Sequence, residues 1–244
     1  MRLVPSSFIL PLLASAVSAI TIAEINGNKF QTTLSGPAAR LTNLKGLVTA
    51  IGPNGTFIRD LMPDKSAETS NSILIFTGRG LLDASIRVGD IISVNGNVAE
   101  FKSGKNISIT EIKEAKLVEI VSRDNDVKPL IIGKDTSEPP TENYSNLDGN
   151  DPYDIGANRV SLNDQNPTLQ PLQYGLDFWE SLSGELVTIQ TATAVSTPTS
   201  HGEVWVVGNW KVTGRNGRGG LTISSQGQLS SIFIYALFIN WWTR

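Results

Sequence analysis

At 244 residues the chain can bury one large core or two small ones, and 20 Lys and Arg against 23 Asp and Glu leave a formal net charge of −3. That balance excludes the broad basic footprint on which strong non-specific DNA binding rests, and the absence of cysteine excludes a small disulfide framework. Ordinary proportions of hydrophobic (40%) and charged (18%) residues, with 22 Gly and 12 Pro, indicate a globular chain rich in turns and favour a β class.

Residues 1–19 read as a secretory signal, with Arg2 as the positive start, an apolar run over 3–13 and small residues at Val17-Ser18-Ala19. The competing reading is a buried N-terminal strand. Pro5 and Pro11 interrupt a segment already shorter than the roughly 20 residues that span a bilayer, so no stable membrane span is expected. The secreted chain would begin near Ile20 with 19 basic against 23 acidic residues, net −4.

After an alternating stretch at 21–25, residues 44–51 and 56–60 flank Gly52-Pro53-Asn54-Gly55, and Asn-Gly between apolar runs predicts a tight hairpin with positive φ at both residues. Residues 72–76 form a third strand. Val88-Gly89-Asp90 turns into a strand at 91–94, and Gly96 interrupts its continuation through Phe101, as a bulge or sharp bend does. Residues 107–121 supply a last extended or partly helical piece. Five strands with a glycine where one curls predict a small closed barrel of OB-fold type over 20–122.

Residues 123–173 are expected to be an acidic, proline-rich linker, since Asp135 to Asp154 holds six acids and no Lys or Arg. Asp148-Gly149-Asn150-Asp151 invites a calcium reading, but no register puts glycine at the sixth loop position and a carboxylate at the twelfth. A second, incomplete β-rich module over 174–224 is predicted from helical spacing of Leu176, Trp179 and Leu182 and strands at 184–189, 202–207 and 219–223. Leu44-Lys45-Gly46-Leu47-Val48-Thr49 and Leu182-Ser183-Gly184-Glu185-Leu186-Val187-Thr188 suggest a degenerate repeat, with coincidence in β-rich sequence the competing account. The apolar stretch in 225–244 is too short to span a bilayer. It is unlike what precedes it and is read as translated intron or shifted frame, with an interfacial anchor or a final strand as alternatives.

No catalytic residue, cofactor site or metal site is assigned. The single histidine, His201, lies in a loop before a strand, and Ser200-His201 is no triad signature because strand neighbours point to opposite faces. Residues 214–220, Gly-Arg-Asn-Gly-Arg-Gly-Gly, place Arg215 and Arg218 where they would face an anion, against a plain glycine-rich loop. Phe57 and Arg59 alternate on one strand as candidate base-stacking and phosphate contacts, or as a core aromatic beside a solvated cation. Asn54, Asn106 and Asn143 head candidate glycosylation sequons, and Pro167 blocks a fourth at Asn166.

The order and wording of several segments resemble the N-terminal part of secreted nucleases of the endonuclease/exonuclease/phosphatase superfamily of bacteria and fungi. These segments are Ile22-Ala23-Glu24-Ile25-Asn26-Gly27, Gly46-Leu47-Val48-Thr49-Ala50, Phe57-Ile58-Arg59-Asp60 and the run from Val88-Gly89-Asp90 to Glu100-Phe101. The likeness resumes at Tyr174-Gly175-Leu176-Asp177-Phe178-Trp179-Glu180, Gly202-Glu203-Val204-Trp205 and Arg218-Gly219-Gly220-Leu221. The resemblance implies an OB-like accessory module, weak DNA or RNA partnership, and a later catalytic domain hydrolysing phosphodiesters with Mg, Mn or Ca. None of that domain's Asn, Glu, Asp and His positions maps onto this chain, so no metal is expected before such a domain. The alternative is a free-standing extracellular module binding polysaccharide or protein, with Trp205 or Trp210 as platform.

Overall fold

The computed structural model describes residues 20–34, 39–78, 80–103, 107–143, 145, 162, 164–198, 204–212 and 214–218. The expected signal, Asn106, the Asp148–Asp151 loop, His201, the strand at 219–223 and the tail lie outside these residues.

The architecture is mainly β. Five strands carry it: β1 (Arg40–Gly52), β2 (Gly55–Arg59), β3 (Ser72–Phe76), β4 (Ile91–Phe101) and β5 (Ile109–Ser122). They pair in a ring of order β1-β2-β3-β5-β4 that returns to β1, antiparallel except for a short parallel seam at Leu74↔Glu111 and Ile75↔Ile112. This is the arrangement of an OB-like, partly open Greek-key barrel. Alternation along each strand turns Val48, Ile58, Ile73, Ile75, Ile92, Val94 and Ile112 inward, all at most 2% exposed. Burying each such side chain contributes about 1.5–3 kcal/mol.

Two glycines let the ring close. A Cβ on Gly55 would sit 2.1 Å from the Ile75 carbonyl oxygen, and one on Gly96 would sit 2.5 Å from Ile112 Cγ2. Gly96 lies where the β4–β5 register shifts, as its place in the run predicted. The hairpin forms too, but one residue off: Gly52 pairs with Gly55, the turn is Pro53-Asn54, and neither Asn54 nor Gly55 has positive φ. Proline fixes the turn's first φ, so Gly55 serves close approach of β3 and not the turn.

The stretch at 21–25 is a helix, α1 (Ile22–Asn26), where alternation was the sequence signal. Thr21 and Glu24 form a capping box, with Glu24 N donating to Thr21 Oγ1 at 3.1 Å and Thr21 N donating to Glu24 Oε2 at 2.8 Å. Asp60 accepts the free N–H groups of Ile22 and Ala23 at 3.0 Å each. Ile22 and Ile25 thereby join the ring's core.

Beyond β5 the elements are short. The expected linker contributes β6 (Leu130–Ile131), which pairs in parallel with β7 (Val187–Thr188). The predicted helix is α2 (Gly175–Glu180), and β8 (Thr193–Ala194) pairs with β9 (Val206–Val207). Phe178 and Trp179 pack with Ile132, and Trp210 packs on Trp179 with ring centroids 6.2 Å apart. The suggested repeat has no structural counterpart. Its first copy is a long strand, and its second is a turn around Gly184, φ +77°, ending in a two-residue strand.

Candidate functional site

On the outer face of the ring the β1–β2 turn, the end of β3 and the end of β4 converge. Thr77 N donates to the Asn54 carbonyl at 3.0 Å, and Phe76 stacks on Phe101 with centroids 6.5 Å apart and planes 13° from parallel. Lys113 Nζ stands 5.6 Å over the Phe101 ring and 3.2 Å from Glu111 Oε1. Phe101 is 44% exposed and Ile109, its partner on β5, 47%. Exposed Lys102 follows directly. The strand alternation that sends Ile73 and Ile75 inward sends Leu74 and Phe76 outward. This pair of rings was not among the residues singled out from sequence; the available signal was an outward-register phenylalanine at the end of each strand.

Phe57 lies on the same outer face, opposite Leu74 and half-buried. Arg59 is on that face as well, but its guanidinium is committed elsewhere. Its Nε lies 3.2 Å from Glu185 Oε2, an ion contact without hydrogen-bond alignment, and Nη1 donates to the Lys128 carbonyl at 3.2 Å. Burial pushes the Glu185 carboxyl up, and the Arg59 charge offsets that only in part. Asn71 N donates to Glu185 Oε1, and Ser70 Oγ donates to the Ser183 carbonyl at 2.6 Å. The segment around Gly184 is thus seated against the start of β3.

The two other arginines singled out from sequence sit in the second region. Arg215 turns back on its own segment, its Nη2 donating to the Gly208 carbonyl. Arg218 is exposed, in a turn whose backbone N–H is held by Asn216 Oδ1 at 2.9 Å. Trp210 is half-buried in the Phe178–Trp179 cluster, and Trp205 is half-buried beside β8. Asn54 and Asn143 are exposed.

A cleft of about 540 Å³ opens between α1 and the β2–β3 loop, lined by Glu24, Asp60, Asp64 and Glu68 with Met62 at its rim. Its carboxylates disfavour an anionic ligand. Asp60 there is occupied with capping α1, and burial raises its pKa against those two backbone hydrogen bonds. Among the described residues no group of three or more His, Cys, Asp and Glu is disposed to hold a metal ion, and no helix is long and apolar enough to cross a membrane.

Residues 131–236 match the sequence family described as a domain of unknown function, DUF8508. The match begins inside β6 and takes in α2 and β7–β9, so the whole ring lies outside it. No curated protein matches the chain, and no solved structure does.

Proposed function

We propose that this chain is a secreted, non-catalytic binding module whose OB-like ring holds single-stranded nucleic acid, an accessory region of the kind found in nucleases of the endonuclease/exonuclease/phosphatase superfamily. The observation that carries this reading is the Phe76–Phe101 stack beside the Asn54 turn and Lys102. OB-like rings take extended chains on this part of their surface, and flat bases stack on paired aromatic rings whatever their sequence. The resemblance over residues 22–223 supports the same class.

The local charge sets the expected strength. Glu111 neutralises Lys113, and the chain as a whole is acidic, so stacking must supply most of the affinity and binding is weak. The test is fluorescence anisotropy of a labelled oligothymidine against the purified full chain. Phe101→Ala removes an exposed ring without opening the core and should weaken binding about tenfold, in keeping with roughly 1–3 kcal/mol per stacked base. No binding by the wild-type chain, or equal binding by the variant, overturns the reading.

The same neutralised platform favours a second reading, an uncharged polysaccharide whose sugar faces lie on Phe76 and Phe101. Retention on insoluble polysaccharide that ignores salt and is lost in Phe101→Ala would select it.

A further inference from the structure

The outer face of the ring is open at one end and covered at the other. Along β3 the outward residues Phe76, Leu74 and Ser72 pair in turn with Gly55, Phe57 and Arg59 of β2. Phe101, stacked on Phe76, is exposed, and Phe57 and Leu74 are half-buried. At the far end Ser72 is 1% exposed and the Arg59 side chain 15%. What covers that end is the segment around Gly184. A Cβ on Gly184 would stand 3.4 Å from the Ser72 carbonyl oxygen, Ser70 Oγ donates to the Ser183 carbonyl at 2.6 Å, and Asn71 N donates to Glu185 Oε1 at 3.2 Å. These contacts set the Glu185 carboxylate against the guanidinium, 3.2 Å from Arg59 Nε.

We propose, building on the nucleic-acid reading, that Arg59 is a masked phosphate contact of the same platform: Glu185 holds the place of a backbone phosphate until a bound strand displaces it. Arg59 stands four residues along β2 from Gly55, the partner of Phe76, or about 13 Å at the rise of a strand. One OB fold holds roughly 4–16 nucleotides, so a strand stacked on Phe76 and Phe101 extends far enough to meet it.

The mask is a weak competitor. The Arg59–Glu185 contact lacks hydrogen-bond alignment, whereas a phosphate presents two oxygens to the guanidinium fork at once. A buried ion pair also returns little net stability, because both charges have lost their water. Exchanging one anion for another at Arg59 is therefore a small step in free energy. It asks for a local lift at 183–185, while the Leu186 carbonyl and β7 stay on β6.

Anisotropy of a labelled oligothymidine against the full chain, repeated over a range of salt concentrations, tests the mask. Glu185→Gln keeps the side-chain shape and an oxygen for Asn71 N but removes the charge. It should bind about tenfold more tightly than the wild type, the weight of one hydrogen bond to a charged group. Its salt slope should steepen by about 0.7, as one more phosphate contact on a single strand requires. Ser70→Ala, which frees the Ser183 carbonyl and alters no charge, should shift affinity in the same direction and serves as second variant should the first not fold. Arg59→Met with Glu185→Leu should show no gain, since the masked cation is gone. Glu119→Gln, which removes an exposed carboxylate of β5, should leave the affinity unchanged. Equal binding by the wild type and Glu185→Gln overturns the mask and leaves the nucleic-acid reading standing. So does a gain as large from Glu119→Gln, or one that survives in the double variant. No binding by any of these chains overturns that reading, and the mask with it.

Discussion

In the ring, β4 and β5 run together from Ile91↔Ser122 to Phe101↔Ile109, and the inward side chains of all five strands merge into a single core that also takes in α1. In the region after β5, paired strands are two residues long and the apolar residues fall into separate small clusters. The first is held by repetition, since each strand adds the same inward pattern and each pair supports the next. The second is held by particular contacts with the ring: Arg59 to Glu185, Ser70 to the Ser183 carbonyl, and Asn166 Oδ1 accepting from Gln31 N. Order in the second region is therefore borrowed from the first, and the dependence runs one way.

The strongest test of that dependence attacks the ring. Ile58→Ala empties the centre of the core at a fully buried position and should cost about 2–5 kcal/mol. All five tryptophans lie beyond residue 122, so tryptophan fluorescence follows the second region while far-UV circular dichroism is dominated by the ring. Both signals should unfold at the same, lower denaturant concentration. A tryptophan transition left at its wild-type midpoint would break the comparison.

The converse change sharpens it. Glu185→Ala leaves the Arg59 guanidinium, whose side chain is 15% exposed, without its carboxylate. Breaking a buried pair from one side costs about 3–5 kcal/mol, and the low end applies because Arg59 keeps the Lys128 carbonyl and some water. Here the fluorescence transition should move to lower denaturant while the circular dichroism transition of the ring stays near its place. Replacing both partners by apolar residues, Arg59→Met with Glu185→Leu, should recover much of the loss, since no charge is then stranded.

The same contrast accounts for what was legible beforehand. Alternating residues announced β1 to β4, and Gly96 announced its irregularity, because a strand half-buried in a regular sheet writes its environment into every second position. β5 was readable as extended or partly helical and not as one strand, since its inward positions Ala115, Leu117 and Ile120 are only partly buried and their alternation slips at Val118 and Glu119. Asn54-Gly55 signalled the hairpin but misplaced its turn, because glycine meets two needs, positive φ and absent Cβ, and only the second operates at Gly55. Arg59 and Phe57 were rightly placed on one face, yet spacing along a strand says nothing of Glu185, more than a hundred residues away, which takes up the arginine. The Phe76–Phe101 stack is likewise a meeting of distant strand ends. For residues 123–173, composition suggested a solvated linker, while the buried side chains of Ile132 and Thr141 depend on contacts with later segments, Phe178 and Trp179 for the first and the Lys211 carbonyl for the second, that composition does not encode.

The smallest effect probes where the ring's own boundary lies. Five residues are too few for a helical period to show, and an isolated helix that short is unstable in water, so α1 exists because its ends are satisfied and its apolar side is buried. Thr21 supplies one half of the capping box, and Asp60, from the ring, accepts two more N–H groups. Thr21→Ala removes the first and leaves the second, and should cost about 1 kcal/mol. If α1 is part of the ring, that loss appears in the circular dichroism transition, and the tryptophan transition shifts only as far as the ring's does. A shift of the tryptophan signal alone would assign α1 to the second region, through Lys29 bridging to Thr168, and would move the boundary between repetition and particular contact to β1.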